Sequence, residues 1–158
     1  TGVVALNVRR FSKNPIIYPQ LDNRIGANIN GPSLIRVPDW VSCPLGRYYL
    51  YFAHHRGTYI RLAYADDLRG PWQVYSKGVL DLKDSYFDDH IASPDVRVRP
   101  GRQEIWIYYH GCCMPRQPLQ VTRLAISRDG LVFSAREEIL GGAYWRTFDR
   151  DGYYYTLE

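Results

Sequence analysis

Histidines are the side chains of this sequence best suited to chemistry, because an imidazole donates, accepts or transfers a proton near neutral pH. The chain has four, at positions 54, 55, 90 and 110. His55 follows one aromatic run, His110 ends a second, and His90 comes just before the segment that carries Asp95. If these segments are antiparallel neighbours, the end of one lies beside the start of the next. We therefore expect His55, His90 and His110 to meet Asp89 and Asp95 at one rim.

Such a rim offers two kinds of site. Imidazoles, carboxylates and a nearby Trp40 or Trp145 suit a ligand rich in hydroxyl groups, since polar groups bind the hydroxyls and a ring stacks on the ligand. Imidazole and carboxylate also bind several divalent ions. No local ligand spacing marks a metal motif, so we expect no cofactor unless a divalent ion binds at this rim.

Other chemistries lack a supporting pattern. The three cysteines, Cys43, Cys112 and Cys113, are odd in number and form no C-x-x-C, so neither a disulfide framework nor a zinc motif is indicated. The chain has no G-x-S-x-G for acyl transfer, and the glycine pair at 141–142 is no phosphate loop.

Charge and hydropathy argue against two kinds of partner. The net charge of +4 comes from 17 arginines and 3 lysines, which are spread singly along the chain apart from Arg9-Arg10. Scattered arginines are typical of a solvated surface, so we expect no nucleic-acid partner. No stretch approaches the roughly 18 apolar residues of a membrane span, and we expect no membrane partner. The first residues lack the basic-then-apolar order of a signal peptide, and the pattern assigns no compartment.

The elements that position these side chains are predicted to be strands. Aromatic residues reach 15%, with 14 tyrosines, and fall in short strand-forming runs at 47–55, 104–111 and 152–157. Turn-forming segments separate the runs. No segment of ten or more residues keeps the apolar stripe of a helix. The sequence therefore predicts an all-β fold.

The two halves of the chain repeat each other at a spacing of 62 residues. Pro32 corresponds to Pro94, and Arg-Leu-Ala at 61–63 corresponds to the same tripeptide at 123–125. Each copy has a first strand that opens at the proline, an aromatic strand, a strand that begins Arg-Leu-Ala, and a less regular outer strand. Four antiparallel strands per repeat describe a β-propeller blade, although a tandem β-sandwich has the same strand count.

The repeat divides the chain into four parts. They are an N-terminal segment (1–27), a first blade (28–78), a second blade (90–140) and the start of a third (143–158). At 62 residues per blade the chain holds about two and a half blades, whereas propellers close with typically four to eight. We therefore expect one propeller domain of which this chain is a part.

Several segments resemble the five-bladed propeller glycosidases of the arabinanase, levansucrase and invertase group, with glycoside hydrolase family 43 the nearest type. These segments are NPIIYP (14–19), NINGPSLI (28–35), LAYADDLRGPW (62–72) and HIASPDVRV (90–98). The likeness extends from Asn14 to about Tyr155. It implies a five-bladed propeller whose axial funnel is lined by the first strand of every blade, where three carboxylates act on a glycosidic bond.

The resemblance assigns Asp95, in SPDV, as the second-blade carboxylate that orients and tunes the general acid. The other two carboxylate positions depart from the family pattern, with Asn30 and Ser33 in the first blade and Arg146 in the third. We therefore predict Asp95 as the catalytic residue. The predicted substrate-binding residues are Asn30, Ser33, His55, His90, His110 and Arg146.

The function that the resemblance implies is hydrolysis of glycosidic bonds in a poly- or oligosaccharide by acid–base chemistry between carboxyl groups. Carbohydrate is thus the expected partner. Two alternatives stay open. One is a propeller that binds carbohydrate without cleaving it, and the other is a propeller that serves as a platform for protein interactions.

Overall fold

Antiparallel β-sheets make up most of the computed structural model, which describes residues 6–113 and 117–158. The strands are β1 (Asn30–Arg36), β2 (Tyr48–Ala53), β3 (Tyr59–Ala65), β4 (Gln73–Asp81), β5 (Ile91–Arg99), β6 (Glu104–Cys113), β7 (Gln117–Ser127), β8 (Ser134–Ala135), β9 (Gly141–Gly142), β10 (Arg146–Arg150) and β11 (Tyr153–Leu157). Helical segments in the described ranges are short 3-10 turns at Pro19–Leu21, Leu82–Asp84 and Pro100–Arg102. None of these helices is long and apolar enough to cross a bilayer.

The strands form two sheets and a hairpin. The first sheet has the order β1-β2-β3-β4, and the second has the order β5-β6-β7-β8 with the short β9 paired to β7. β10 and β11 form an antiparallel hairpin. Each sheet follows chain order as a four-stranded meander, which is the strand arrangement of a propeller blade. The predicted all-β propeller fold is thus confirmed, with two blades and a further hairpin among the described residues.

The first strands of successive sheets lie side by side. β1 contacts β5, and β5 contacts β10, so the sheets radiate from an axis that their first strands form. This radial order is that of propeller blades and differs from the tandem β-sandwich alternative, in which each domain closes on its own core.

The main core lies between the two blades. Tyr49, Tyr51 and Leu62 of the first blade are fully buried in one cluster with Ile107 of the second. The hydroxyl of Tyr51 donates a hydrogen bond of 2.9 Å to the carbonyl of Gly130, which lies beyond β7. Burial of these large side chains between facing sheets is the main force that holds the blades together.

A smaller core lies on the opposite face of the first blade. Phe52 alternates with Tyr51 along β2 and therefore points away from the second blade. Phe52 is buried with Trp72 and with Ile25 of the N-terminal segment. Residues 16–29 thus cover the face of the first blade that the second blade leaves open.

The first strands of both blades carry the same irregularity. A β-bulge interrupts the pairing of β1 just before Ser33 and that of β5 just before Asp95. Gly31 and Ser93, at equivalent positions of the repeat, have positive φ angles of 58° and 46°. A Cβ added to Gly31 would lie 2.8 Å from the Cα of Ser93. The two backbones therefore touch at the axis, and the bulges re-aim the side chains that follow.

Candidate functional site

A carboxylate holds the ring of His90 at the start of β5. Nδ1 of His90 lies 2.6 Å from Oδ2 of Asp89. The imidazole is 3% exposed, whereas the carboxylate is about half exposed. If Nδ1 donates its proton to the carboxylate, Nε2 of a neutral imidazole carries the lone pair. Nε2 is buried and has no hydrogen-bond partner in the described part of the chain, so its hydrogen-bonding capacity is unused there.

His110 lies across the sheet from this dyad. It pairs with Ala92 between β6 and β5, and its ring centroid is 6.2 Å from that of His90. Nδ1 of His110 is also buried, without a hydrogen-bond partner among the described residues. Burial lowers the pKa of His110 to about 4, and the neighbouring His90, Arg146 and His55 add to the effect. At neutral pH the ring is therefore uncharged.

Arg146 and Tyr144 approach the two histidines from the third repeat. The Tyr144 ring packs on His110 at a centroid distance of 4.3 Å. Nη1 of Arg146 donates to the carbonyl of Trp145 at 3.0 Å and to that of Ser93 at 3.5 Å. The guanidinium therefore sits at the axis against the strained Ser93 backbone.

His55 completes the group from the first blade. Its ring is exposed, and its backbone N–H donates a hydrogen bond of 2.9 Å to Oδ1 of Asn28. His55 is close enough to His110 to contribute to the lowered pKa of that ring. We call the set His55, His90, His110, Tyr144 and Arg146 the histidine rim.

Asn30 lies next to the histidine rim. Its Nδ2 donates a hydrogen bond of 2.9 Å to Oδ1 of Asn28, the same oxygen that the His55 amide contacts. It also lines a largely apolar cavity of about 750 Å³ between the N-terminal segment and the first blade, together with Phe11 and Phe52. The structure therefore places this predicted substrate-binding residue between that cavity and the histidine rim.

Ser33 and Asp95 lie at equivalent junctions between blades. Oγ of Ser33 accepts a 2.9 Å hydrogen bond from the backbone N–H of Val96, in the next first strand. Oδ2 of Asp95 accepts a 2.9 Å hydrogen bond from the backbone N–H of Thr147, again in the next first strand. One side-chain oxygen per blade thus fastens the following blade.

The carboxylate of Asp95 also forms an ion pair with a neighbouring arginine. Its side chain is 5% exposed, and its carboxylate accepts hydrogen bonds from Arg97 at 3.2 Å and from Oγ1 of Thr147 at 2.8 Å. Its hydrogen-bond partners in the described ranges are Arg97 and Thr147 rather than a histidine. The catalytic role of Asp95 stays a prediction.

The two tryptophans predicted to stack on a ligand differ in position. Nε1 of Trp40 donates a hydrogen bond of 3.3 Å to the carbonyl of Arg128 and helps to join the blades. Trp145 follows Tyr144 and precedes Arg146, and its ring lies 6.0 Å from that of Tyr108. Trp145 is therefore the one that borders the histidine rim.

No three His, Cys, Asp or Glu side chains converge into a set that could hold a metal ion, as far as residues 6–113 and 117–158 are concerned. The His90 nitrogen next to Asp89 contacts that carboxylate, and Nε2 is the ring nitrogen without a hydrogen-bond partner in the described ranges.

Two contributors to the rim were not predicted. Tyr144 has a φ of 66°, which no local pattern marks because tyrosine rarely adopts it. Gly111 packs so closely that a Cβ there would collide with the His90 carbonyl and the Phe87 ring. A lone glycine in an aromatic strand is the sequence pattern that indicates such close approach.

Comparison of the sequence with known proteins finds an uncharacterized relative. No family model matches the chain. An uncharacterized protein of Acanthamoeba polyphaga mimivirus is 35% identical over 97% of this chain, and the match covers 49% of that protein. The chain thus spans about half the length of this relative.

Solved structures with the same fold are propeller glycosidases. A GH43 enzyme from Xanthomonas citri matches 86% of this chain and 41% of its own, with a TM-score of 0.66 and 15% identity. A GH43 β-xylosidase/α-arabinofuranosidase from a compost microbial metagenome matches 86% of this chain and 43% of its own, with a TM-score of 0.64 and 20% identity. The Bombyx mori GH32 β-fructofuranosidase matches 94% of this chain and 32% of its own, with a TM-score of 0.58 and 18% identity. The described residues therefore share the fold of part of a glycoside hydrolase propeller.

Proposed function

We propose that this protein binds an oligo- or polysaccharide at the histidine rim and acts on its glycosidic bonds. The observation that carries the proposal is the pair of buried ring nitrogens, Nε2 of His90 and Nδ1 of His110, that have no hydrogen-bond partner in the described chain. A buried polar atom without a partner is costly unless a ligand satisfies it. Sugar hydroxyls supply both donors and acceptors, and the Tyr144 ring supplies a stacking surface.

The fold supports the same ligand class. Two of the structures with this fold were solved with xylotriose bound. The rim lies where the first strands begin, around the axis of the propeller. A ligand at this place would contact residues from several strands at once.

Hydrolysis needs one group that gives a proton and one that accepts it across the bond. The Asp89–His90 dyad supplies the proton acceptor of this pair, because the carboxylate holds the proton on Nδ1 and leaves the Nε2 lone pair free. The proton donor for the leaving oxygen is not assigned to a residue in the described ranges. In this proposal Asp95 is a positioning residue. Its carboxylate holds the Thr147 backbone and so fixes Arg146, the residue before Thr147.

A second candidate function is carbohydrate binding without cleavage. Ser33 stands where the resemblance implies the first-blade carboxylate, and it fastens Val96. Both oxygens of Asp95 are likewise engaged. A rim that binds sugar but holds no free pair of carboxylates on β1 and β5 is what this alternative requires.

The test uses the chain on a glycan array and in a reducing-sugar release assay. We expect binding, and His90→Gln should weaken it roughly 10-fold, the value of about one hydrogen bond. His54→Gln is the matched control, because His54 is engaged locally with the Arg56 backbone N–H and should bind as the wild type does. Binding without sugar release favours the second candidate, and an array without any bound glycan contradicts the proposal.

A further inference from the structure

Arg146 is the cation of the histidine rim that has most unused donors. A guanidinium carries five N–H groups in a planar fork. The structure engages Nη1 with the carbonyls of Trp145 and Ser93. Nε and Nη2 have no hydrogen-bond partner, and no carboxylate pairs with Arg146, within the described ranges. The free edge of the fork matches two acceptor oxygens of one anion.

The surroundings of Arg146 do not neutralise it. Asp89 contacts Nδ1, the ring atom of His90 away from the free Nε2. Asp95 is paired with Arg97 and the Thr147 side chain and backbone. The two nearby carboxylates are thus committed to other groups.

Arg146 is a permanent cation close to His110. The pKa of His110 is lowered first by burial and then by neighbouring groups that include Arg146. A positive charge that disfavours protonation of a neighbouring imidazole favours binding of an anion at the same place. Neutral His110 still donates or accepts a hydrogen bond, so it contributes to recognition without adding charge.

We infer that the sugar bound at the histidine rim is acidic, carrying a carboxylate or a sulfate that pairs with Arg146. This inference rests on the proposed function, since it names the substrate class of the same site. A partly buried guanidinium without a counter-ion is unfavourable, and an anionic ligand removes that cost. The planar fork of arginine binds a carboxylate or a sulfate through two parallel hydrogen bonds.

The experiment compares matched neutral and acidic glycans on the full chain. The array holds neutral, uronate-containing and sulfated oligosaccharides of equal length, and α-1,4-linked trigalacturonate and galactotriose serve as the solution pair. We expect preferential binding of the acidic glycans, with the uronate and sulfated arms showing which anion is preferred. Arg146→Gln should weaken acidic binding roughly 10- to 100-fold, as for loss of hydrogen bonds to a charged group.

Two variants separate this role from a general effect of charge. Arg146→Lys keeps the charge but loses the fork, and it should recover only part of the affinity. Arg150→Gln removes the same charge from the same strand. Its side chain is 75% exposed and pairs with Asp151, so acidic binding should be unchanged.

The outcomes distinguish the two proposals. Equal or stronger binding of neutral glycans, or an Arg146→Gln variant that keeps its preference for acidic ones, overturns the acidic-sugar inference and leaves the proposed function standing. Absence of any bound glycan overturns the proposed function and this inference with it.

Discussion

Single side chains fasten each blade to the next at equivalent positions of the repeat. Ser33 and Asp95 are 62 residues apart, and each accepts the backbone N–H of the next first strand, from Val96 and Thr147 respectively. The carboxylate also binds Arg97. A residue that resembles a catalytic carboxylate in sequence therefore has a structural task at the blade junction.

Asp95→Ala should lower the free energy of unfolding by about 3 kcal/mol, because it leaves the buried Thr147 N–H without an acceptor and Arg97 without its counter-ion. Urea unfolding measures the change. Asp39→Ala is the control, since Asp39 is exposed and loss of its side chain should cost about 0.5 kcal/mol or less. Equal stabilities of the two variants would show that the junction is held by other groups.

His110 makes stability depend on pH. Its pKa is about 4 in the folded protein and near 6.5 when unfolded. The unfolded chain therefore binds more protons between these values, and stability falls as the pH drops from 6.5 towards 4. Between pH 7.5 and pH 4.5 the loss due to His110 is about 2.5 kcal/mol.

His110→Gln removes this titration. The difference in unfolding free energy between pH 7.5 and pH 4.5 should be smaller in the variant by about 2.5 kcal/mol, as measured by urea unfolding at both values. The comparison cancels the carboxylates, which titrate in both proteins. A variant with the same pH dependence as the wild type would mean that His110 does not stay neutral in the folded state.

At the scale of elements, β5 and β6 bring the rim together by close backbone approach. Gly111 in β6 lies against the carbonyl of His90 and the ring of Phe87. The bulge in β5 and the positive φ of Ser93 set where the strand meets the axis. The His90 ring is thus positioned by backbone packing as well as by its contact with Asp89.

Gly111→Ala should destabilise the protein by about 1–3 kcal/mol, because the added methyl group forces the His90 carbonyl and Phe87 apart. It should also weaken glycan binding at the rim. Gly101→Ala provides the control, because a Cβ there meets no atom within 4 Å and its φ is not in the left-handed region. If both alanine variants unfold at the same urea concentration, the packing around Gly111 is looser than described.

At the scale of the whole molecule, the two blades share one core. Tyr51 of the first blade packs on Phe133 of the second and donates its hydroxyl to Gly130. The amide of Phe133 in turn donates to the carbonyl of Val79, in β4. Because each blade buries its face against the other, we expect the described blades to unfold as one cooperative unit.

Tyr51→Phe should lower the unfolding free energy by about 1–2 kcal/mol, because the buried Gly130 carbonyl loses its donor. The dependence of this free energy on urea concentration should stay unchanged, as for a single transition. Tyr64→Phe is matched, since its hydroxyl bonds to Gln73 at an exposed position within one blade, and it should cost about 0.5 kcal/mol or less. Two separate transitions in Tyr51→Phe would contradict a shared core.

Local patterns in the sequence determined the strands, the repeat and the propeller fold. Alternating aromatic runs, turn residues and the 62-residue spacing of Pro32 and Pro94 all act within or between neighbouring segments. The order of strands follows, because short loops make consecutive strands pair. The placement of His90 and His110 near one rim also follows from antiparallel direction alone.

Only the tertiary structure decided how individual polar groups are used. The contact between Asp95 and Thr147 spans 52 residues and joins two blades, so no local pattern distinguishes this junction carboxylate from a free one. Tyr144 reaches His110 through a backbone conformation unusual for tyrosine. Sequence periodicity places a side chain on a face, whereas its partner depends on how complete sheets pack against each other.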